Sequence, residues 1–339
     1  MPHHDDPTHH SPSHQQGHFD LPSRLGITEP IVNAPMAGAA GGSLAAAVSS
    51  AGGLGMVGIG SSVSPDWIAE QCGLARAPGR AWGAGLMAWA LEPSLEPLRL
   101  LLLERPDLVC VSFGDPGPAA KLIRDAGALC AMQVGNAADL ERALQPDIDV
   151  VVCRGGEGGG HGRNDVATLP LLQLAVAATG KPVIAAGGIS CPTGVASALA
   201  AGAQAAWVGT RFAASHESLS HEHVKQAIAE AGLDDTIFTR SFDIAQRIPW
   251  PAEFGGRALR NAFSDEWAAE EERLSAAVSE DASIKARVDA ARRDGDVSTA
   301  PVYAGQSVAG SAGNESAADI VADLARFRSH LRAAVDRWN

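Results

Sequence analysis

Short runs of β-branched and other apolar residues, each bounded by glycine, proline or asparagine, recur about every 20 to 30 residues from residue 26 onward. Eight such runs can be marked, at 31–34, 55–58, 82–87, 108–113, 129–134, 150–153, 182–186 and 205–209. Between them lie Ala- and Leu-rich stretches with helical spacing of the apolar positions, as at 45–51, 65–75, 118–126, 137–144, 169–179 and 194–201. The runs are apolar at successive positions, as expected of parallel strands covered on both faces. Strand and helix alternating eight times predict an α/β fold, a (β/α)8 TIM barrel. A doubly wound open sheet is the alternative, since alternation alone does not establish closure.

The rhythm stops after Arg211. Residues 212–304 read as a mostly helical insertion domain following strand 8, broken at Pro249-Trp250-Pro251 and Gly255-Gly256. By position this insertion covers the barrel mouth and the substrate, with Trp250, Phe254 and Tyr303 as apolar walls. Residues 305–339 form a return segment and a terminal amphipathic helix, expected over about 317–335, that packs on the barrel. Residues 21–211 are then the barrel, and 1–20 a disordered tail. That tail holds six of the eleven histidines (His3, His4, His9, His10, His14, His18) among Pro, Ser and Gln, a composition without enough apolar surface to order itself. Metal capture there has no spacing to fix a coordination geometry.

Composition narrows the function. With 339 residues, 46% apolar and 19% charged, the chain can bury a large core of small aliphatic side chains. A net charge of −13 disfavours nucleic acid and anionic lipid as partners. The five cysteines are scattered without a C-x-x-C, which argues for a reducing compartment. No apolar run reaches the ~18 residues of a membrane span, and no signal-peptide h-region opens the chain. A cytoplasmic protein is the expectation. The Ala-rich helices suit packing between subunits as well as within one, so a homo-oligomer stays open.

In such barrels the chemistry sits at the C-terminal ends of the strands, with phosphate often held after strands seven and eight. The seventh run ends in Gly187-Gly188 and the eighth in Gly209-Thr210-Arg211, joining close backbone approach, a hydroxyl and a cation. The sixth run ends in Cys153-Arg154-Gly155-Gly156-Glu157-Gly158-Gly159-Gly160-His161-Gly162-Arg163. Glycine-rich backbone can lie close to a flat ligand, and an imidazole carried there is suited to proton abstraction. The orientations of Arg154, Glu157 and Arg163 are open. Three motif matches fail. The G-x-G-x-x-G at 53–58 runs from helix into strand, the reverse of the dinucleotide fingerprint. The spacing from His216 to His221 is one residue too long for H-E-x-x-H, and no P-loop lysine is present.

With these residues the chain resembles the nitronate monooxygenase family of FMN-dependent (β/α)8 barrels. The likeness is carried by Pro30-Ile31-Val32-Asn33-Ala34-Pro35-Met36-Ala37-Gly38, by 47–55, by the glycine-rich histidine loop, by both phosphate-type strand ends, by 256–261 and by Tyr303-Ala304-Gly305-Gln306. It implies FMN as cofactor, with Ala34, Pro35 and Met36 lining the isoalloxazine and Gln133 reaching the ring. Gly187, Gly188, Gly209 and Thr210 would hold the phosphate, and Gly155 joins the cofactor contacts. His161 would be the catalytic base, and the reaction the oxidation of alkyl nitronates or nitroalkanes with dioxygen. Two departures stand out: Gly85 replaces an asparagine frequent after the third strand, and Gly158 replaces the alanine of Glu-Ala-Gly-Gly-His. An FMN-dependent NAD(P)H reductase of an enone or quinone is the alternative. A cofactor-free lyase or isomerase would need a lysine or carboxylate base inside the barrel, and the lysines (Lys121, Lys181, Lys225, Lys285) fall outside the strand ends. A non-catalytic binding module is the blandest reading.

Overall fold

The computed structural model describes residues 19–338, so the six tail histidines and any metal they hold lie outside the described residues. Eleven strands follow along these residues: β1 (Ile31–Asn33), β2 (Gly55–Gly58), β3 (Trp82–Met87), β4 (Leu108–Ser112), β5 (Leu129–Val134), β6 (Val150–Arg154), β7 (Gly160–Gly162), β8 (Val183–Ala186), β9 (Ala205–Val208), β10 (Thr236–Thr239) and β11 (Gly255–Leu259). Eight of them form a parallel sheet in the order β1-β9-β8-β6-β5-β4-β3-β2, with a helix or helices after each strand. All eight expected runs are strands of this sheet.

The sheet closes between β1 and β2 through a short seam. Val32 bridges Leu54, the Leu54 amide donates to Ile31 at 2.9 Å, and the Asn33 amide donates to Leu54 at 3.3 Å. The buried Asn33 side chain extends the seam, accepting from the Met56 amide and donating to the Met56 carbonyl, both at 2.8 Å. A carboxamide here replaces two ladder bonds that these short strands lack.

Alternate residues point inward, so Val32, Leu54, Met56, Leu108, Cys110, Ala131, Val150, Val152, Ile184, Ala205 and Trp207 pack as one interior cluster. Leu21 and Leu25 of helix Leu21–Leu25 join it and seal the end where the strands begin. Asp20 caps that helix by accepting from the Ser23 amide at 3.1 Å, so ordered structure reaches into the stretch assigned above to the tail. The same alternation places Gln133 and Arg154 inward at the opposite, C-terminal ends of β5 and β6.

The insertion is mostly helical and has its own core around Phe242, Phe263, Trp267, Leu274 and Val288. It also carries β10 and β11, which sequence periodicity missed. Together with β7 of the histidine loop they make an antiparallel sheet in the order β10-β11-β7, His161 lying opposite Gly256. The expected single terminal helix is two, Ala317–Leu324 and Phe327–Trp338. No helix among the described residues is long and apolar enough to cross a membrane.

Candidate active site

The histidine loop is built around a buried guanidinium. Arg154 sends one Nη to the carbonyls of Gly158, Gly159 and Gly160 at 2.7, 3.2 and 3.0 Å and the other to Arg163 at 3.1 Å. The loop can wrap so closely only because its residues lack side chains: a Cβ on Gly162 would lie 1.9 Å from the Arg154 Nη1. Burial first, then the like charge of Arg257, pulls Arg154 down to about 10, with Glu157 acting the other way. Arg257 of β11 fastens the start of the loop through the Gly156 carbonyl (2.9 Å) and Asn164 (2.9 Å).

The remaining charged groups of the loop are also engaged in holding it. Glu157 accepts from the Thr168 amide and hydroxyl at 2.9 and 3.0 Å. The same hydroxyl reaches the Gly187 carbonyl at 3.0 Å, which ties the loop to the end of β8. Arg163 turns to Asp139, with contacts of 2.8 and 3.1 Å. Arg163 also lies over the Phe254 ring at 4.7 Å. His161 is the loop side chain that stacks on Trp250.

Its Nε2 lies 2.9 and 3.0 Å from the two carboxylate oxygens of Asp243, on helix Ser241–Gln246 of the insertion. The two side chains are 11% and 4% exposed. The imidazole stacks flat on Trp250, centroids 3.7 Å apart, with Tyr303 at 5.1 Å. Trp250 in turn meets Trp89 at 5.0 Å, two residues past the end of β3, and Phe113 at 4.9 Å, directly after β4. Phe113 adopts φ +64, a conformation unfavourable for an aromatic residue and one that turns the chain at the barrel mouth. The Trp89 Nε1 is buried without an acceptor among the described residues. Desolvation, then the Asp243 charge, pushes the Tyr303 phenol well above its ordinary value.

The expected cofactor residues gather around the neighbouring strand ends. Gly187 and Gly188 follow β8 with φ +100 and +69, and the Gly188 and Gly209 amides have no acceptor among the described residues. Around Gly209 the nearest atoms to an added Cβ are the Ala34 Cβ and Met36 Sδ, each at 3.6 Å, so β1 and β9 end together. The Thr210 hydroxyl accepts from the Gly305 amide at 3.0 Å, leaving its own proton to donate. Half-buried Gln133 makes no side-chain hydrogen bond to another described residue. Unpaired amides beside glycines in left-handed conformations, with a hydroxyl at hand, fit the phosphate of a mononucleotide.

The surroundings of Arg211 differ from expectation. Arg211 is bound to Glu315 at 2.6 and 3.0 Å and Asp323 at 2.8 Å, so its charge is spent on the return segment and not on an anion. Gly155 is enclosed: a Cβ there would lie 2.2 Å from the Thr168 amide, and its smallness serves loop packing. The Gly85 departure has a physical reason, since a Cβ would meet the Pro35 Cγ at 2.3 Å and that ring fills the space a larger residue would take. The four lysines are bound to Asp125, to the Ala143 and Gln145 carbonyls, to Glu222 and to Asp289, which removes the basis for a lysine-dependent lyase. Among the described residues no group of His, Cys, Asp and Glu is placed to hold a metal.

Asp243, Trp89 and Phe113 escaped the sequence reading. Asp243 carried no motif, and only the pairing of β7 with β11 brings it to His161; Trp89 and Phe113 could have been found as the first aromatic residues after two barrel strands.

The chain is similar to known proteins in sequence and in fold. The chain is 31% identical over 226 residues to a (3aS,4S,5R,7aS)-5-hydroxy-7a-methyl-1-oxo-octahydro-1H-indene-4-carboxyl-CoA dehydrogenase of Mycobacterium tuberculosis, a match spanning 66% of this chain but only 63% of that protein. A nitronate monooxygenase of Paraburkholderia phytofirmans is 31% identical over 299 residues, covering 74% and 78%. Among solved structures, FabK from Thermotoga maritima superposes with TM-score 0.77 at 27% identity over 93% of this chain and 96% of that one. Nitroalkane oxidase from Streptomyces ansochromogenes gives 0.76 at 27% over 93% and 99%. The family model of nitronate monooxygenases matches residues 90–326, a span that runs from the short helix after β3 through the histidine loop, both glycine-bearing strand ends and the insertion. The chain belongs to the nitronate monooxygenase family.

Proposed function

We propose that this protein is an FMN-dependent oxidoreductase that oxidises alkyl nitronates, and nitroalkanes after deprotonation, with dioxygen. The observation that carries the reading is His161, held by Asp243 and stacked on Trp250 at the mouth of a barrel whose adjacent strand ends present unpaired amides. When bound, FMN supplies the electron acceptor and, once reduced, the reaction with dioxygen. The amides of Gly188 and Gly209 and the hydroxyl of Thr210 would hold its phosphate, Ala34, Pro35 and Met36 would lie along its ring, and Gln133 would offer the ring an amide.

An ionised Asp243 can only accept, so Nε2 of His161 carries the proton and Nδ1 keeps the lone pair. Nδ1 is therefore the atom that takes the α-proton of a nitroalkane. The imidazolium that results is stabilised by the buried carboxylate. Trp250 holds the ring plane, and the aromatic walls exclude water around the developing nitronate.

The test is anaerobic addition of propane-2-nitronate to the FMN-reconstituted protein. Bleaching of the flavin absorbance is expected. A flavin indifferent to nitronate but bleached by NAD(P)H would move the assignment to a reductase, and failure to retain FMN would remove its basis.

A further inference from the structure

The helices around the barrel differ in how their outer faces are finished. Pro65–Arg76, Pro118–Asp125 and Ala137–Ala143 each carry three charged residues, the ordinary finish of a face that meets water. Three others, each of nine residues or more, carry none: Gly42–Ser50, Thr168–Ala178 and Pro192–Ala200. Two of these three are covered by the end of the chain, since helix Ala317–Leu324 packs on Gly42–Ser50 and helix Phe327–Trp338 packs on Pro192–Ala200. Helix Thr168–Ala178 packs on β6 and β8 and is left open on its outer side. Its positions 169, 170, 173, 174, 177 and 178 are exposed and carry Leu, Pro, Gln, Leu, Ala and Ala.

Helix Phe327–Trp338 has the converse property. Phe327, Leu331, Ala334, Val335 and Trp338 recur at helical spacing and form one apolar stripe. The stripe starts on the barrel, where Phe327 is buried and Leu331 packs against the core of the helical shell. It then runs past the chain's own surface, so that Val335 is 59% and Trp338 87% exposed. Leu169, Leu174, Val335 and Trp338 make up half of the eight large apolar side chains that stand exposed among the described residues. The two helices that carry them are both neighbours of helix Pro192–Ala200. Exposed apolar groups gathered in this way, and not scattered singly, mark an interaction surface.

We propose that two copies of this chain form a two-fold symmetric dimer in which the free end of helix Phe327–Trp338 of each copy packs on helix Thr168–Ala178 of the other. Both halves of the contact lie on one chain, as an isologous interface requires. Charge selects a second copy as the occupant. Helix Phe327–Trp338 carries three arginines against one aspartate, opposite in sign to the chain's −13. Its exposed Arg332 and Arg337 flank the apolar stripe on either side. Exposed Glu141 and Asp165 stand beside helix Thr168–Ala178, one on the preceding shell helix and one just before the first turn. Apolar groups then meet at the centre and opposite charges at the rim. Elsewhere two copies of so acidic a chain repel one another, whereas Lys181 is the only charged residue between Asp165 and Arg211. The dimer does not depend on the flavin reading.

Sedimentation equilibrium of the full chain tests this, and twice the chain mass is expected at micromolar concentration. Leu174→Glu and Val335→Glu each bury an unpaired charge twice per dimer and should weaken association about a hundredfold or more. Both side chains are exposed within their own copy, so the circular dichroism of either variant should match the wild type. Leu103→Glu, at a residue 74% exposed on helix Glu96–Leu103, adds the same charge outside the contact and should leave the dimer intact. A dimer that survives Leu174→Glu or Val335→Glu, or one that all three substitutions dissociate equally, overturns the proposal. A monomer at every concentration overturns it too, and binding of that monomer to phosphatidylcholine vesicles would assign the stripe to a lipid surface instead.

Discussion

The barrel interior and the histidine loop sit a few residues apart on the same strand, β6, and are held by opposite means. Inside the barrel, Val150 and Val152 are fixed by strand alternation and by neighbours on adjacent strands, nearly all of them apolar. Beyond Arg154 the order comes from buried charge and long-range partners. His161 depends on Asp243, 82 residues away, and Gly156 on Arg257, 101 residues away. One region tolerates loss of any single contact because many share the load. The other hangs on a few hydrogen bonds that leave buried polar groups unpaired when broken.

Substitutions should separate the two regions. His161→Ala is expected to reduce kcat/KM for a neutral nitroalkane by about a thousandfold, and to lower the melting temperature without unfolding the barrel, since it leaves the buried Asp243 carboxylate without its partner while Arg154 and Arg257 still hold the loop. A comparable loss of folding would show that the imidazole is structural. Arg154→Met strands the carbonyls of Gly158, Gly159 and Gly160 and should cost about 3 kcal/mol, with activity lost before the barrel's circular dichroism changes. Simultaneous loss of both would mean that the loop is part of the barrel's cooperative unit.

Asn33→Leu attacks the barrel at its weakest point. It should cost about 2 kcal/mol in denaturant unfolding. The smallest effect concerns the buried thiols. Burial pushes Cys72, Cys110, Cys130 and Cys153 up to about 12, in Cys72 and Cys130 with nearby carboxylates adding to it. A raised folded-state value means that the stability these thiols contribute is complete below their ordinary value near 9 and is lost as pH rises from there toward 12. The melting temperature should fall over that window, less steeply in Cys110→Ala. In the native protein only Cys191, the one cysteine not buried, should react promptly with a disulfide reagent. Rapid titration of more than one thiol would contradict the burial.

The barrel was legible in the sequence because its signal is local: each strand is a short apolar run between turn residues, and Gly187, Gly188 and Gly209 mark strand ends within that same pattern. His161 was legible through its glycine context. Asp243 was not, because its significance arises only when β7 pairs with β11, and Gly-His-Gly has no strand propensity to announce that pairing. The charge of Arg211 was misread for a related reason. Its partners Glu315 and Asp323 lie over a hundred residues on, at the return of the chain to the barrel.

The account rests on His161 and Asp243 acting together as a proton acceptor, and the comparison of two substrates isolates that role. Asp243→Asn should lower kcat/KM for a neutral nitroalkane about a hundredfold, while the preformed nitronate, which has no proton to lose, is oxidised within a few-fold of the wild-type rate. Equal losses on both substrates, or on neither, would contradict it.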